Sequence, residues 1–246
     1  MMQAKDKFFV AIDVGTIDEA KRLMDSLVDL VTHVKVGLQL ATRSSWGEAV
    51  AAAHERGFRV FCDTKFKDIP NTMEQASFAL TQHKPEFFTV MSDNSQAALE
   101  AVRRGVDKAA EGLKLVEKPK IIGVAMLTSI SPEEGREIYG GNLQEKALQF
   151  AGNAADAGLE ALVCSPEEIG LFRSQPKLND VIIVTPGVRP AWAAAHDQQR
   201  FATPAEAIKK GADMLVIGRP ITQPPSEIGS TQEAIKRIIG EIEEVL

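Results

Sequence analysis

Three charged residues, Asp63, Lys65 and Asp68, stand close together directly after an apolar stretch, residues 58–62, that predicts a β-strand. Side chains alternate faces along a strand, so Asp63 and Lys65 should project from the same face, side by side. A buried charge is costly unless it is paired, so an acid and an amine at a strand end are typical of a built site. A lysine ammonium held in this way can act as a general acid.

The residues that follow predict the start of a helix. Pro70 has the backbone dihedral of a first helical turn, which places Asp68 in the short loop or cap before that helix. The segment is therefore strand, charged corner and helix start. Taken alone, the pair Asp63 and Lys65 fits a salt bridge beside a helix cap as well as it fits a catalytic site.

Short apolar runs alternate with segments of helical periodicity along the chain. The apolar runs predict strands over residues 8–14, 33–37, 58–63, 86–91, 120–125, 161–164, 181–184 and 214–217. The periodic segments predict helices over residues 17–31, 44–56, 71–83, 95–110, 143–156 and 203–210. Several of these strands are apolar on both faces, as parallel strands covered by helices require.

Eight strand–helix repeats in 246 residues predict an α/β fold of the (β/α)8 TIM barrel type, forming a single domain over residues 1–246. An open, doubly wound sheet is the alternative. It is disfavoured because no G-x-G-x-x-G turn follows the first predicted strand.

The composition narrows the classes of function. A net charge of −6 and a pI near 5.4 argue against a nucleic-acid partner. No stretch approaches the ~20 apolar residues of a membrane span, and the N-terminus lacks the apolar core of a signal peptide, so no membrane partner is expected. Cys62 and Cys164 lie in apolar runs and are expected to be reduced thiols, which suits a cytoplasmic protein. The histidines show no metal-ligand spacing.

Further polar residues fall at or just past the predicted strand ends, where catalytic groups collect in barrels: Asp13, Lys35, Asp63, Lys65, Thr128, Thr185 and Arg219. Each has a structural alternative. Lys35 fits an edge-strand or snorkelling lysine, and Asp13 fits a helix N-cap. Thr128 fits ordinary loop chemistry, and Arg219 fits a surface salt bridge.

The loops after the seventh and eighth predicted strands are the recurrent phosphate-binding place in barrels. The first carries T-P-G-V-R, ending at Arg189, and the second carries G-R-P, beginning at Gly218. Gly218 allows close approach of the backbone, and Arg219 offers a bidentate fork to phosphate oxygens. The long loop over residues 188–201 is typical of a lid, which would bring in Gln198.

The string D-x-K-x-x-D-I-P-N-T, together with L-T-S at residues 127–129, T-P-G-V-R and G-R-P, resembles the orotidine 5'-phosphate decarboxylase family of the bacterial type. The resemblance extends along nearly the whole chain. It implies a catalytic array of alternating charges: Lys35, Asp63, Lys65 and Asp68. It also implies a substrate-binding set: Asp13, Lys35, Thr72, Thr128, Arg189, Gln198, Gly218 and Arg219.

The resemblance also implies individual roles. Asp13 would accept hydrogen bonds from ribose hydroxyls, and Lys35 would contact the ribose and the catalytic acid. Thr128 would bind the amide edge of the pyrimidine. Asp68 and Thr72 would reach the neighbouring site of a homodimer.

The reaction implied is conversion of orotidine 5'-monophosphate to UMP and carbon dioxide in de novo pyrimidine synthesis, with Lys65 protonating C6. No metal or cofactor is expected. One alternative is a related barrel decarboxylase that acts on a sugar-acid phosphate with a divalent metal, and another is a non-catalytic nucleotide-binding barrel. The chain departs from the family pattern in two places: Lys67 stands where many members carry histidine, and residues 89–94 replace V-H-A-S-G-G. Neither change removes a residue of the catalytic or substrate-binding sets.

Overall fold

The computed structural model of the chain describes residues 3–193 and 202–246. Eight parallel strands hydrogen-bond in the order β1 to β8 and close into a barrel, which confirms the predicted (β/α)8 fold. The strands are β1 (Phe8–Ile12), β2 (His33–Gly37), β3 (Arg59–Phe66), β4 (Phe87–Met91), β5 (Lys120–Val124), β6 (Ala161–Val163), β7 (Ile182–Thr185) and β8 (Met214–Ile217).

Helices lie between the strands and after the last one. They are α1 (Ile17–Asp25), α2 (Leu38–Ala41), α3 (Trp46–His54), α4 (Pro70–Thr81), α5 (Gln96–Leu113), α6 (Pro132–Tyr139), α7 (Leu143–Asp156), α8 (Ile169–Arg173), α9 (Pro204–Lys209), α10 (Arg219–Thr222) and α11 (Thr231–Glu243). Side-chain oxygens accept from backbone N–H groups at the start of most of the longer ones: Thr16, Ser45, Ser95, Ser131, Asn142, Thr203 and Ser230. Helix α4 instead begins with Pro70 in its first turn, as the sequence predicts.

The described residues divide into two compact units. The first unit runs to Asp63 and resumes at Thr185. Within it, β1 pairs with β2 and β8, and β2 pairs with β3. The register places Ala11 beside Lys35 and Gly37 beside Asp63. Strands β1, β2 and β3 therefore bring the charged residues at their carboxyl ends to the same edge.

The second unit covers Thr64–Val184 and contains the pairs β4–β5, β5–β6 and β6–β7. Its helices α4 and α5 approach closely at Gly105, where an added Cβ would lie 2.2 Å from the Glu74 carbonyl oxygen and 2.2 Å from Ser77 Oγ. Ser77 Oγ also donates to the Val102 carbonyl oxygen of α5 at 3.1 Å. This contact fixes α4, the helix that follows Asp68.

Strand β3 is longer than predicted. The sequence suggests an end at Asp63, but β3 continues to Phe66 and includes Lys65. Thr64 is buried and its hydroxyl donates to the Thr89 carbonyl oxygen of β4, so this residue packs as part of the sheet. The predicted cysteine state is confirmed, since Cys62 and Cys164 are both buried and free of a disulfide. In residues 3–193 and 202–246 no helix is both long and apolar enough to cross a membrane.

Candidate active site

Lys35 is the centre of a cluster in the first unit. Its Nζ lies 3.1 Å from Asp13 Oδ1 and 3.6 Å from Asp63 Oδ2. Lys35 is 7% exposed, whereas the Asp13 side chain is 50% exposed. β2 is paired on both sides, so the edge-strand alternative for Lys35 is wrong. A buried ammonium between two carboxylates is the paired arrangement that makes burial of charge affordable.

Asp13 follows β1 and does not cap α1. The N-cap of that helix is Thr16, whose hydroxyl accepts from the Glu19 N–H at 3.2 Å. The Asp13 carboxylate instead accepts from Lys35 and keeps half of its surface open. It is therefore placed to accept further hydrogen bonds from a ligand.

Gly37 makes room for this cluster. A Cβ at position 37 would lie 2.9 Å from Lys35 Nζ and 3.0 Å from Asp13 Oδ1. Both distances are shorter than ordinary van der Waals contact. The sequence analysis missed this residue, although its place two positions after a strand lysine was a usable signal.

Asp63 occupies the inner side of the cluster, and its side chain is 17% exposed. Burial, and secondly the charge of Asp63, raise the pKa of the neighbouring Cys62 thiol well above its usual range. Cys62 therefore stays a neutral core thiol and is no candidate nucleophile.

Lys65 lies in the second unit and has an unusual backbone. Its φ is 49°, the left-handed region that costs a non-glycine residue about 1–2 kcal/mol. Regular strand alternation therefore does not by itself set the direction of its side chain. The Lys65 N–H donates to Thr89 Oγ1 at 2.9 Å, and Thr64 Oγ1 donates to the Thr89 carbonyl oxygen at 2.5 Å. Thr89 is fully buried in β4 and holds this strained turn of chain.

Asp68 and Thr72 are both exposed at the start of α4. Asp68 is not the N-cap, which is Ile69, although its Oδ1 accepts from the Ile69 N–H at 2.7 Å. The Asp68 carbonyl oxygen accepts from Asn94 Nδ2 at 3.0 Å. Both side chains thus remain available on the surface of the unit.

The two departures from the family pattern meet each other. Lys67 Nζ lies 2.6 Å from Oδ2 of Asp93, which belongs to the altered segment after β4. The Asp93 side chain is 9% exposed, so its charge is buried and paired. The sequence analysis treated Lys67 and residues 91–93 separately and missed the pair.

Thr128 lies in the exposed connection between β5 and α6, next to Ser129. Neither residue caps α6, because the N-cap is Ser131, whose hydroxyl accepts from Glu134 N–H. Thr128 therefore lies in the loop and does not cap the helix.

The predicted phosphate residues follow β7 and β8. The Arg189 N–H donates to the Ala202 carbonyl oxygen at 3.0 Å, which joins the two ends of the long loop. Arg219 is exposed at the start of α10, directly after Gly218. An added Cβ at Gly218 would meet Ala11 Cβ at 3.6 Å, an ordinary contact, so packing alone does not require glycine there. Gln198 lies outside the described residues.

No group of three or more histidine, cysteine, aspartate or glutamate side chains in the described residues is arranged to hold a metal ion. Lys35 is paired with both Asp13 and Asp63. Such an array can orient hydroxyl groups and hold an electrostatic field at a reacting centre.

The chain is similar to known proteins along nearly its whole length. A family model described as "Orotidine 5'-phosphate decarboxylase / HUMPS family" matches residues 6–234. The orotidine 5'-phosphate decarboxylase of Heliobacterium modesticaldum is 39% identical over 248 residues, covering 100% of this chain and 99% of the relative. The protein of the same name from Nostoc sp. is 42% identical over 221 residues, covering 89% of this chain and 91% of the relative.

Solved structures show the same fold. The crystal structure of orotidine 5'-phosphate decarboxylase from Lactobacillus acidophilus matches with a TM-score of 0.81 and 26% identity, covering 96% of this chain and 99% of that one. An uncharacterized conserved protein from Geobacillus kaustophilus matches equally well, with a TM-score of 0.81. The resemblance carried by the sequence motifs is thereby confirmed.

Proposed function

The chain belongs to the orotidine 5'-phosphate decarboxylase / HUMPS family, and on that basis we propose that it converts orotidine 5'-monophosphate to UMP and carbon dioxide without metal or cofactor. The observation that carries the proposal is the cluster in which the buried Lys35 ammonium lies between the Asp13 and Asp63 carboxylates, with Lys65 two residues after Asp63 on β3. A purely structural protein has no need of this arrangement, because burying it costs free energy.

Lys65 is the proton donor in this mechanism. The bond between C6 and the carboxylate breaks, its electron pair stays on C6, and carbon dioxide leaves. The Lys65 ammonium then gives a proton to C6 and regains one from water. At ~4 Å and an effective dielectric near 20, the attraction between this ammonium and the developing negative charge is worth about 4 kcal/mol before desolvation. One lysine is therefore insufficient for a very large acceleration.

The rest of the array prepares the site. Asp63 stands beside the substrate carboxylate, a contact that becomes less unfavourable when carbon dioxide leaves. Lys35 holds the Asp63 carboxylate through their ion pair and, with Asp13, binds the ribose hydroxyls. Thr128 binds the amide edge of the pyrimidine.

Binding of the substrate phosphate contributes free energy at a site remote from the reacting carbon. Arg189, Gln198, Gly218 and Arg219 form the phosphate site, and binding energy from this remote group drives closure and desolvation at the ring. The enzyme acts as a homodimer in which Asp68 and Thr72 of one protomer serve the site of its partner.

The test is the fall in ultraviolet absorbance of orotidine 5'-monophosphate on adding purified protein, with and without EDTA. Conversion to UMP that EDTA does not slow supports the proposal. Loss of activity with EDTA would favour the metal-dependent sugar-acid branch, and UMP binding without turnover would favour a nucleotide-binding barrel.

The variant Lys65→Ala tests the assigned proton donor and should lose nearly all activity while staying folded. Lys84→Ala is a matched control, because Lys84 also has a left-handed backbone, with φ of 56°, and follows α4 on the surface. Equal activity in the two variants would contradict the role of Lys65.

A further inference from the structure

The segment that carries Asp68 is contacted by the segment that follows β4. Both segments contain residues that depart from the family pattern. Lys67, directly before Asp68, reaches Asp93 with an Nζ–Oδ2 distance of 2.6 Å. The Lys67 side chain is 51% exposed and the Asp93 side chain 9% exposed. The pair therefore joins an exposed lysine to a buried carboxylate.

Asp93 is itself fixed from helix α6. Burial, then the charge of Asp93 and a hydrogen bond to its carboxylate, raise the pKa of the Tyr139 hydroxyl. The Tyr139 hydroxyl therefore lies close to the Asp93 carboxylate. The Tyr139 ring packs edge-on against Phe150 of α7, with the ring centroids 5.4 Å apart. The residue next to the Asp93 carboxylate is thus itself packed between α6 and α7.

A second contact reaches the same segment through the backbone. Asn94 Nδ2 donates to the Asp68 carbonyl oxygen at 3.0 Å, and Asn94 Oδ1 accepts from the Ser95 N–H at 2.7 Å. Ser95 is the N-cap of α5, so the asparagine amide is tied to the start of that helix. The chain at residues 67–68 therefore has two contacts, the ion pair of Lys67 with Asp93 and the hydrogen bond from Asn94 to the Asp68 carbonyl oxygen.

These contacts matter because the Asp68 side chain is exposed. Its carboxylate accepts from the adjacent Ile69 N–H, a local contact that moves with the segment. The direction of Asp68 is thus set by the path of its backbone. A displacement of about 1 Å in a catalytic group can cost as much as a hundredfold in rate.

We infer that Asp93 and Asn94 are positioning residues for Asp68, the first acting through Lys67 and the second through the Asp68 carbonyl oxygen. The inference rests on the proposed function, in which Asp68 takes part in decarboxylation. In this chain the lysine–aspartate pair joins two positions at which the sequence departs from the family pattern.

The test compares Lys67→Met, Asp93→Asn and the double variant with Lys67→Arg by steady-state kinetics on orotidine 5'-monophosphate and by thermal unfolding. Lys118→Met is the matched control, because Lys118 forms a pair with Asp107 at 2.8 Å in which both side chains are largely exposed. All rates are measured at a temperature at which each variant is folded. Asn94→Ala tests the backbone contact separately.

We expect Lys67→Met and Asn94→Ala to lower kcat and kcat/KM together by about tenfold to a hundredfold, as for a group misplaced by about 1 Å. Lys67→Arg should keep most of the activity, since it keeps the charge. The double variant should lose less than the sum of the single losses, because it leaves no buried charge unpaired. Lys118→Met should behave as the unmodified protein.

A purely structural pair would give a different result. Variants with a lower melting temperature but unchanged kcat would overturn the inference and leave the proposed function intact. An unmodified protein that does not decarboxylate the substrate would contradict the proposed function, and the inference would fall with it.

Discussion

Replacing Gly37 with alanine should damage the active site without unfolding the protein. The added Cβ would lie 2.9 Å from Lys35 Nζ, whereas ordinary contacts begin near 3.4 Å. Lys35 Nζ is the free end of a flexible side chain and must move by about 0.5 Å to restore that distance. The backbone of β2 has no need to move, because the φ of Gly37 is −109°, which alanine adopts freely.

The size of the effect follows from the contacts of Lys35. Its Nζ is 3.1 Å from Asp13 Oδ1, near the upper end of the hydrogen-bond range of about 2.7–3.2 Å. A shift of about 0.5 Å away from the new methyl group breaks that bond, and a hydrogen bond between charged groups contributes about 1.5–3 kcal/mol. Since about 1.4 kcal/mol corresponds to a factor of ten, kcat/KM should fall about tenfold to a hundredfold.

The assay is the steady-state rate on orotidine 5'-monophosphate, with thermal unfolding measured on the same samples. Gly112→Ala is the control, because Gly112 lies in helix α5 and an added Cβ there meets nothing within 4 Å. Its kcat/KM should be unchanged. If Gly37→Ala retained the kcat/KM of the control, the position of the Lys35 ammonium would be irrelevant to the reaction and the reasoning would be refuted.

Three further variants test the remaining supports. Thr89→Val removes the buried acceptor of the Lys65 N–H, so the unfolding free energy should fall by about 1–3 kcal/mol and kcat should drop. Thr89→Ser keeps the hydroxyl and should restore both quantities. An unchanged kcat in Thr89→Val would exclude a role for Thr89 in placing Lys65. Gly105→Ala forces a methyl group against the Glu74 carbonyl oxygen and should cost about 1–3 kcal/mol in chemical denaturation while kcat is kept. Arg219→Ala should weaken substrate binding and also slow turnover, and an unchanged rate at saturating substrate would contradict the coupling between phosphate binding and chemistry.

The strand and helix pattern was predictable because parallel strands covered by helices leave an apolar signal in the sequence. The structure has β2 and β8 at the predicted bounds, and α7 as well. The short helices α2, α8 and α10 were not predicted, since four or five residues carry too little periodicity to be seen. The predicted end of β3 at Asp63 was wrong because the strand continues to Phe66 through the charged Lys65. The sequence does not show that these residues belong to the sheet.

The cluster of Lys35, Asp13 and Asp63 was predictable in part, because the carboxyl ends of neighbouring parallel strands meet at one edge. The distances within the cluster and the space left by Gly37 were not predictable, since they depend on the register between β1, β2 and β3. The pairing of Lys67 with Asp93 was not predictable from the sequence. The two residues are far apart in the chain, and only the packing of the segment after β4 against the start of α4 brings them together.

The charged residues of the D-x-K-x-x-D motif are held in two different ways. Asp63 is held by its side chain, through the Lys35 ammonium, so its position depends on a charge that a substitution can displace. Lys65 and Asp68 are held by their backbones, through Thr89 and Asn94. A backbone contact of this kind fixes the path of the chain, and so fixes the point from which the side chain starts. The left-handed conformation of Lys65 is a backbone outlier of the kind that clusters at active sites, and it supports the proposed role of this residue.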